Sequence, residues 1–358
     1  MEAGKLNSFI GNESLTIVDA MGKIDENNNG ILFIVDEKNK LVGSISDGDI
    51  RRWILKAGEI TASVSNVMNM TPKYLNNNTK HQASQVMKEY LIRAVPILLN
   101  NGEIEDILLL SDIEEHYDMK GDLSGVPVVV MAGGKGTRLY PYTKILPKPL
   151  VPIGDTPIVE RIINYYTDFG IKSFYMTVNY KKAMIRSYFD EVEKDYSIKY
   201  VEEDKPLGTG GSIKLIKDKF DGPLFITNCD ALILSDYYDI YQYHLKSGND
   251  ITMVSALKNF QVPYGVMHTG SNGVLESMEE KPKLSCFINT GMYIINPETI
   301  KLIPDDTMFH MTHLVEKVME QGGKVGTYPV SEDSFLDMGE LDEMKRMEEK
   351  LGIITSKG

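Results

Sequence analysis

The stretch that decides the fold of this chain is VVVMAGGKGTRLYPYTKILPKPLVPIG, at residues 128–154. It begins with an apolar, β-branched run, which predicts a strand buried on both faces. The run ends in a glycine-rich loop, where backbone N–H groups can surround an anion without a clash from a β-carbon. The stretch has no Asp or Glu, and its basic residues are Lys135, Arg138, Lys144 and Lys148. In a chain with a formal charge of −13, this local cation cluster indicates a phosphate-binding site.

Two common phosphate-binding motifs do not fit this stretch. The P-loop pattern G-x-x-x-x-G-K-[ST] cannot be aligned with it, and the third glycine of the dinucleotide motif G-x-G-x-x-G would fall at Leu139. A solvated loop after a core strand is the simpler alternative. The glycines, the charge and the position of Lys148 between Pro147 and Pro149 together favour a phosphate site.

The pattern G-x-G-T-R, followed ten residues after its arginine by the lysine of P-K-P, resembles the signature of sugar-phosphate nucleotidylyltransferases. The resemblance continues through residues 126–350, and it implies a GT-A or Rossmann-like α/β domain with a mainly parallel central sheet. Strand and helix patterns alternate over residues 126–358, which independently indicates such a sheet with helices on both faces. Ligands of these sheets bind beyond the carboxyl ends of the strands.

Composition restricts the class of protein further. The chain has 358 residues, 42% of them hydrophobic and 25% charged, as expected for a soluble globular protein of two to three domains. The net negative charge argues against a nucleic-acid partner or an anionic membrane surface, and no apolar run has the length of a membrane span. Two cysteines are too few for a disulfide scaffold or a zinc cluster. The start of the chain does not resemble a signal peptide, so we expect a cytoplasmic protein.

Residues 1–120 contain the pattern β-α-β-β-α twice, and the two copies resemble a pair of CBS domains. We therefore divide the chain into this tandem module, a linker at 121–125 and a catalytic domain at 126–358. In the CBS family, pairs dimerise and often bind adenine nucleotides, so the resemblance implies a homodimer or higher homo-oligomer. It also assigns a ribose site to Ser46 and Asp49. In the second copy Asp112 matches, but Leu109 replaces the hydroxyl residue, so at most one ribose site is expected. A purely structural or dimer-forming module is the alternative.

The nucleotide-binding residues follow from the transferase resemblance. A second glycine-rich loop, L-G-T-G-G-S at 207–212, follows a predicted strand and helps to frame the nucleobase in that family. The residues assigned to the nucleoside triphosphate are Ala132, Gly133, Gly134, Gly136, Thr137, Arg138, Leu207, Gly208 and Gly211.

Two aspartates match the metal-binding positions of the family. Asp230 ends the strand-like run F-I-T-N-C-D, and Asp337 lies far along the chain in F-L-D-M-G. Carboxylates suit Mg²⁺, which takes few protein ligands and completes its shell with phosphates. A helix N-cap is the alternative for Asp230, and only the fold can bring Asp337 to it.

The sugar phosphate is assigned to the second half of the domain. The motif E-K-P at 280–282 resembles the family element in which the glutamate meets a sugar hydroxyl and the lysine meets the phosphate. Polar residues within the apolar strand I-N-T-G-M-Y-I-I require partners, and sugar hydroxyls would serve. The residues assigned to the sugar phosphate are Lys148, Gly265, Glu280, Lys281, Asn289 and Thr290.

The resemblance implies transfer of a nucleoside monophosphate from a triphosphate to a sugar 1-phosphate, with release of pyrophosphate. The residues assigned to catalysis are Arg138, Lys148, Asp230 and Asp337. The combination of a CBS pair and a transferase domain in this chain most resembles enzymes that make activated hexosamines or nonulosonate precursors. Many of these enzymes are guanylyltransferases, including those of the nonulosonate (legionaminic acid) pathway. The expected substrates are therefore GTP and glucosamine or N-acetylglucosamine 1-phosphate, for surface glycans, with possible control by a nucleotide at the CBS pair. Uridylyl or thymidylyl transfer to a hexose 1-phosphate remains open, as does a non-catalytic nucleotide-sensing protein.

Overall fold

The computed structural model describes residues 6–27, 29–57, 59–90, 92, 94–109, 121–216, 219–339 and 341–353. The chain divides into two compact units, residues 1–119 and residues 120–358. Within the described ranges, no helix combines the length and the apolar character needed to cross a membrane.

The first unit is built from two small three-stranded sheets. Its elements are β1 (Ile10–Asn12), α1 (Ile17–Asn27), β2 (Ile31–Val35), β3 (Leu41–Ser46), α2 (Asp47–Ala57), β4 (Leu75–Asn76), α3 (Ala83–Tyr90), β5 (Ala94–Leu98) and β6 (Ile104–Leu109), with short 3-10 helices at Val64–Asn66 and Lys80–Gln82. The sheet orders are β1-β2-β3 and β4-β5-β6, and in each the first pair is parallel and the second antiparallel. The predicted β-α-β-β-α order is confirmed for the first copy and through β6 for the second. The helix predicted to follow, with Asp112, lies outside the described residues.

The two copies share one core. Phe9 and Phe33 from the first copy and Ala94 and Ile107 from the second belong to a single buried cluster. Each copy alone is near the lower size limit for a stable core, which explains why the two pack together.

The second unit carries the remaining elements. They are β7 (Val128–Met131), α4 (Tyr142–Ile145), β8 (Pro152–Ile153), β9 (Thr156–Pro157), α5 (Ile158–Thr167), β10 (Ser173–Val178), α6 (Lys182–Glu191), β11 (Ser197–Glu202), α7 (Gly208–Gly211), β12 (Leu224–Asn228), β13 (Ala231–Ile233), α8 (Tyr237–Ser247), β14 (Ile251–Gln261), β15 (Val266–Thr269), β16 (Leu275–Glu279), β17 (Lys283–Ile295), α9 (Met311–Glu320), β18 (Val325–Val330), β19 (Phe335–Asp337) and α10 (Leu341–Lys350). Short 3-10 helices lie at Thr137–Leu139, Lys148–Leu150, Ser212–Leu215, Ser271–Gly273 and Pro297–Leu302.

A seven-stranded sheet in the order β11-β10-β7-β12-β17-β14-β18 forms the centre of this unit. β17 runs antiparallel to both of its neighbours, and the other pairs are parallel. The predicted mainly parallel α/β fold is therefore confirmed. From β7 the chain moves to β10 and β11 on one side and then returns to β12 on the other. This reversal of direction opens a crevice at the carboxyl ends of the strands, where ligands of such sheets bind.

The apolar run at the start of β7 is buried on both faces, as its sequence predicts. Val128 and Val130 pack into the cluster that contains α5, α6 and α8, whereas Val129 and Met131 pack into the cluster that contains α9. All four side chains are at most 7% exposed. The loop after β7 therefore starts from a strand that is fixed on both sides.

β14 and β17 extend beyond the sheet as a two-stranded antiparallel ribbon. Leu257 pairs with Phe287 and Gln261 with Lys283, and a hairpin of β15 and β16 lies at the outer end. We call residues 257–287 the ribbon. The sequence patterns did not predict β14, β15, β16 or β18.

Candidate active site

The loop after β7 is held against β10 and lies close to Glu203. Ala132 is buried, and its N–H donates to the carbonyl of Thr177 on β10 at 3.0 Å. A β-carbon on Gly133 would lie 2.4 Å from Oε1 of Glu203, so a larger residue here would have to displace the Glu203 carboxylate. A β-carbon on Gly134 would meet nothing within 4 Å.

The two halves of the opening motif are locked together at Gly136. Its φ of +65° is in the left-handed region, and a β-carbon there would lie 2.7 Å from Cβ of Lys148. The hydroxyl of Thr143 donates to the carbonyl of Gly136 at 2.9 Å. Lys148 is thus placed directly against the glycine loop, while Thr137 and Arg138 lie exposed on the 3-10 helix that follows it.

Pairing of β13 with β19 brings the two aspartates together. Ala231 is opposite Asp337, and the N–H of Met338 donates to the carbonyl of Asp230 at 2.8 Å. Burial raises the pKa of the Asp337 carboxyl, and the negative charge of Asp230 raises it further. The two carboxyls therefore form one site with concentrated negative charge.

Two cations face this carboxylate pair. The ammonium of Lys148 forms an ion pair with Oδ2 of Asp230, and both side chains are almost buried, at 12% and 10% exposed. Arg138 and Asp337 both lie beside Gly339. A β-carbon built on Gly339 would be 2.9 Å from Oδ2 of Asp337 and 3.3 Å from Nη1 of Arg138. Both cations lower the pKa of Asp337, against the effect of burial. The structure thus gathers all four residues assigned to catalysis.

Glu203 lies beside the glycine loop, and the sequence patterns did not single it out. It follows β11 directly, its side chain is buried, and its Oε2 accepts the N–H of Leu207 at 3.1 Å. Burial raises the pKa of the Glu203 carboxyl, and the hydrogen bond from the Leu207 N–H offsets part of this rise. Its position in the sequence could have identified it as a candidate, because it is a carboxylate just past the carboxyl end of a strand and before a glycine-rich loop.

The second glycine-rich loop is packed against the segment before α9. A β-carbon on Gly208 would lie 2.8 Å from the carbonyl oxygen of Phe309, and one on Gly211 would lie 2.8 Å from that of Thr307. Leu207 is buried and donates its N–H to Glu203, as described above. These glycines therefore have a packing reason in the structure, and their contact with a nucleotide stays a prediction.

The residues assigned to the sugar phosphate form two separate groups. Gly265 lies beside Glu280, whose Oε2 would be 3.0 Å from a β-carbon there, and Glu280 and Lys281 are exposed on the ribbon. Asn289 and Thr290 lie in the sheet. The intervening stretch of β17 spans about 20 Å at the usual rise of an extended strand.

Thr290 and Asn289 already have partners within the sheet. The buried hydroxyl of Thr290 donates to the carbonyl of Val254 at 2.7 Å, where the β14–β17 register shifts. Nδ2 of Asn289 donates to the Tyr293 hydroxyl at 2.6 Å. A β-carbon on Gly291 would lie 2.2 Å from Nδ2 of Asn228, so this part of β17 lies close to the chain leading into Asp230. The assignment of Thr290 and Asn289 to the sugar stays a prediction.

In the first unit, Ser46 and Asp49 bind each other. The Ser46 hydroxyl donates to Oδ2 of Asp49 at 2.6 Å, the N–H of Asp49 donates to Ser46 Oγ at 3.2 Å, and Arg52 pairs with the same carboxylate. This reciprocal arrangement caps the start of α2. It holds both side chains at one place, but a ribose site there stays a prediction. Leu109 is buried at the end of β6.

The chain is similar to known proteins in sequence and in structure. Among curated proteins, the chain is similar to the mannose-1-phosphate guanyltransferases of Saccharomyces cerevisiae (33% identity over 184 residues, 49% of this chain and 51% of that protein) and Pichia angusta (34% identity over 184 residues, 49% and 50%). The chain spans about half the length of the curated relatives it matches. Among solved structures, HddC from Yersinia pseudotuberculosis is similar over 63% of this chain and 99% of that chain, with 26% identity and a TM-score of 0.49.

Two family models match the chain. Residues 12–56 match the CBS domain, and residues 127–352 match the family described as nucleotidyl transferase. The second match covers more than half of the chain and includes every residue assigned to catalysis. The chain therefore belongs to the nucleotidyl transferase family and carries a CBS domain in its first unit.

Proposed function

We propose that this chain is a sugar-1-phosphate guanylyltransferase. A phosphate oxygen of the sugar 1-phosphate forms a bond to the α-phosphorus of GTP, and the bond from that phosphorus to the β-phosphate oxygen breaks. The products are a GDP-sugar and pyrophosphate. The nucleophile is already an anion, so the reaction requires positioning and charge neutralisation rather than a general base. The observation that carries the proposal is the meeting of Arg138, Lys148, Asp230 and Asp337 beside the glycine loop.

The donor set suits Mg²⁺. This ion usually binds one or two protein carboxylates and completes its shell with phosphate oxygens and water. Asp230 and Asp337 supply two carboxylates that the β13–β19 pairing brings together, and a divalent cation would neutralise their combined charge. No group of three or more acidic, histidine or cysteine ligands occurs among the described residues, so phosphates would be needed to complete the shell. When bound, the ion would neutralise charge on the phosphates.

The remaining roles belong to cations of this chain. Arg138, exposed on the 3-10 helix after the glycine loop, neutralises the triphosphate and the leaving pyrophosphate. Lys148, which pairs with Asp230, holds the phosphate of the sugar. The thiol of Cys229, next to Asp230 in the chain, does not support covalent catalysis. Burial raises the pKa of Cys229 to about 12, so the thiol stays protonated at neutral pH and is a poor nucleophile.

Glu203 supports guanine as the base. Guanine presents two adjacent donors, N1–H and N2–H, and a carboxylate accepts hydrogen bonds through both of its oxygens. Uracil and thymine present a single N–H between two carbonyl oxygens, which would repel the carboxylate. Because Glu203 is buried beside Gly133, a base that offers this carboxylate no donors in addition to the Leu207 N–H would be disfavoured. The curated relatives are named guanyltransferases, which points in the same direction.

The sugar has two candidates. The resemblance to CBS-fused enzymes favours glucosamine or N-acetylglucosamine 1-phosphate for surface glycans, whereas the names of the curated relatives favour mannose 1-phosphate. A phosphate contact by Lys281 and hydroxyl contacts by Glu280 are compatible with either.

A matrix of substrates tests the proposal. Pyrophosphate release is measured with GTP, UTP, dTTP and ATP, each combined with mannose, glucosamine, N-acetylglucosamine and glucose 1-phosphate. We expect turnover with GTP and at least one of these sugars. Turnover only with UTP or dTTP would contradict guanine, and no turnover with any pair would favour the non-catalytic nucleotide sensor.

A further inference from the structure

The loop between β10 and α6 contacts both halves of the nucleotide site. It consists of Asn179, Tyr180 and Lys181, which we call the brace. β10 lies between β7 and β11 in the sheet, so the brace starts between the glycine loop that follows β7 and Glu203 that follows β11. The transferase motifs do not include any of the three residues.

Lys181 binds the end of the short helix α4. Its ammonium donates to the carbonyl of Lys144 at 2.6 Å and to that of Ile145 at 2.5 Å. Carbonyls in the last turn of a helix have no partner within the helix and attract cations. Lys181 itself has a φ of +52°, in the left-handed region, and its ammonium lies 5.2 Å from the centre of the Tyr180 ring.

The helix α4 lies in the segment that joins Gly136 to Lys148. The Tyr180 hydroxyl donates to the carbonyl of Thr143 at 3.3 Å, and the Thr143 hydroxyl donates to the carbonyl of Gly136 at 2.9 Å. The brace therefore reaches the glycine loop through Thr143 and fixes the chain that carries Lys148.

The other end of the brace holds the carboxylate assigned to the base. Nδ2 of Asn179 donates to the backbone carbonyl of Glu203 at 2.8 Å, and the N–H of Glu203 donates to the carbonyl of Val178 at 3.0 Å. Asn179 thus fixes the backbone of Glu203 from the same loop in which Lys181 fixes the phosphate segment.

We propose that Asn179, Tyr180 and Lys181 are positioning residues that set the separation between the base-reading carboxylate and the phosphate-binding segment. Lys181 and Tyr180 act through Gly136 and Lys148, and Asn179 acts through Glu203. This inference rests on the proposed guanylyl transfer. Because a small displacement of reacting groups costs much of the rate, loss of the Lys181 contacts lowers kcat more than it weakens GTP binding.

The test compares the same substitution at two adjacent lysines of the full chain. Asn tolerates a left-handed φ, so Lys181→Asn removes the ammonium without adding backbone strain. Lys182, which pairs with the exposed Glu202, gives the control Lys182→Asn. We expect Lys181→Asn to lower kcat for pyrophosphate release about tenfold to a hundredfold, with partial recovery in Lys181→Arg. Lys182→Asn should stay within about twofold of the parent.

A second variant separates the two ends of the brace. Asn179→Ala should reduce the preference for GTP over UTP in kcat/KM, whereas Lys181→Asn should leave that preference unchanged. Unchanged kcat in Lys181→Asn, or equal losses in the two lysine variants, would overturn the proposal.

If the parent protein is inactive with every substrate pair, the proposed function is refuted but the role of the brace is not. A measurement that does not depend on turnover then tests the brace. Hydrogen exchange of residues 141–146 reports the same contacts, because the N–H of Leu146 donates to the carbonyl of Tyr142 at 3.0 Å. The brace predicts faster exchange there in Lys181→Asn than in Lys182→Asn, and equal exchange in both would overturn it.

Discussion

The nucleotide half and the sugar half of the site differ in how their residues are held. Gly133 and Gly136 approach Glu203 and Lys148 more closely than a β-carbon would allow, and Lys148 pairs with Asp230. On the ribbon, by contrast, β16 is exposed along its whole length, as are Glu280 and Lys281. The nucleotide half is pre-organised by packing, whereas the ribbon presents side chains that few neighbours restrain.

This difference predicts different consequences of substitution. In a packed site, a changed side chain displaces its neighbours, so both the rate and the stability suffer. On an exposed ribbon, removal of a side chain deletes only that side chain's own contact with substrate. The four predictions below test this contrast, in order of decreasing effect.

The largest effect is expected for Asp230→Asn. Loss of one of the two carboxylates should lower pyrophosphate release about a thousandfold or more, because the charge in the site no longer suits a divalent cation and its phosphates. The Lys148 ammonium also loses its buried partner, so the thermal midpoint should fall. Steady-state rates and circular dichroism measure the two effects. Retained turnover in a folded variant would refute the assignment of Asp230.

The next effect compares two glycines of one loop. Gly136→Ala should destabilise the protein by about 2 kcal/mol and lower kcat strongly, because the new β-carbon meets Lys148 and the left-handed φ is strained. Gly134→Ala is the matched control for stability, since its β-carbon would meet nothing within 4 Å. Urea unfolding is measured for both variants, and turnover is measured for Gly136→Ala. Equal destabilisation of the two variants would contradict the contrast between packed and free positions.

A pH profile tests Glu203. Burial raises the pKa of its carboxyl, so protonation begins at a higher pH than for an ordinary glutamate. The ionised form accepts two donors from guanine, whereas the protonated form offers one donor and one acceptor. The preference for GTP over UTP in kcat/KM should therefore decline as the pH falls, and this decline should begin at a higher pH than for an ordinary glutamate. In Glu203→Gln the preference should shift towards UTP and lose this decline. A wild-type preference that does not change with pH would argue against base reading by this carboxylate.

The smallest effect is expected on the ribbon. Lys281→Ala should raise KM for the sugar 1-phosphate about tenfold, the value of one exposed charge-assisted contact, and leave KM for GTP and the unfolding midpoint unchanged. Initial rates at varied concentrations of each substrate separate the two constants. A rise in KM for GTP alone would contradict the assignment of Lys281 to the sugar phosphate.

The sequence predicted what depends on local composition. The buried run of β7, its glycine loop and the alternating α/β pattern are short-range signals, and the structure contains all of them. The pairing of Ala231 with Asp337 is not a local signal, because it joins segments more than a hundred residues apart. Only the match to a family motif pointed to Asp337.

Other features could not be predicted because they depend on hydrogen bonds between loops. The roles inferred for Lys181 and Asn179 follow from carbonyl groups to which they donate, and a backbone carbonyl leaves no mark in sequence composition. Thr290 shows the opposite case. A polar residue in an apolar strand suggested a ligand, but its hydroxyl has a partner in the carbonyl of Val254, where the strand register shifts.

The most direct test of guanylyl transfer is the stoichiometry of its products. The protein is incubated with GTP, Mg²⁺ and a mixture of sugar 1-phosphates, and the nucleotides are identified by mass spectrometry while pyrophosphate is quantified. The account predicts one GDP-sugar for each pyrophosphate released, with no product in the Asp230→Asn variant. GMP and pyrophosphate without a GDP-sugar, or GDP and phosphate alone, would contradict attack by the sugar phosphate on the α-phosphorus.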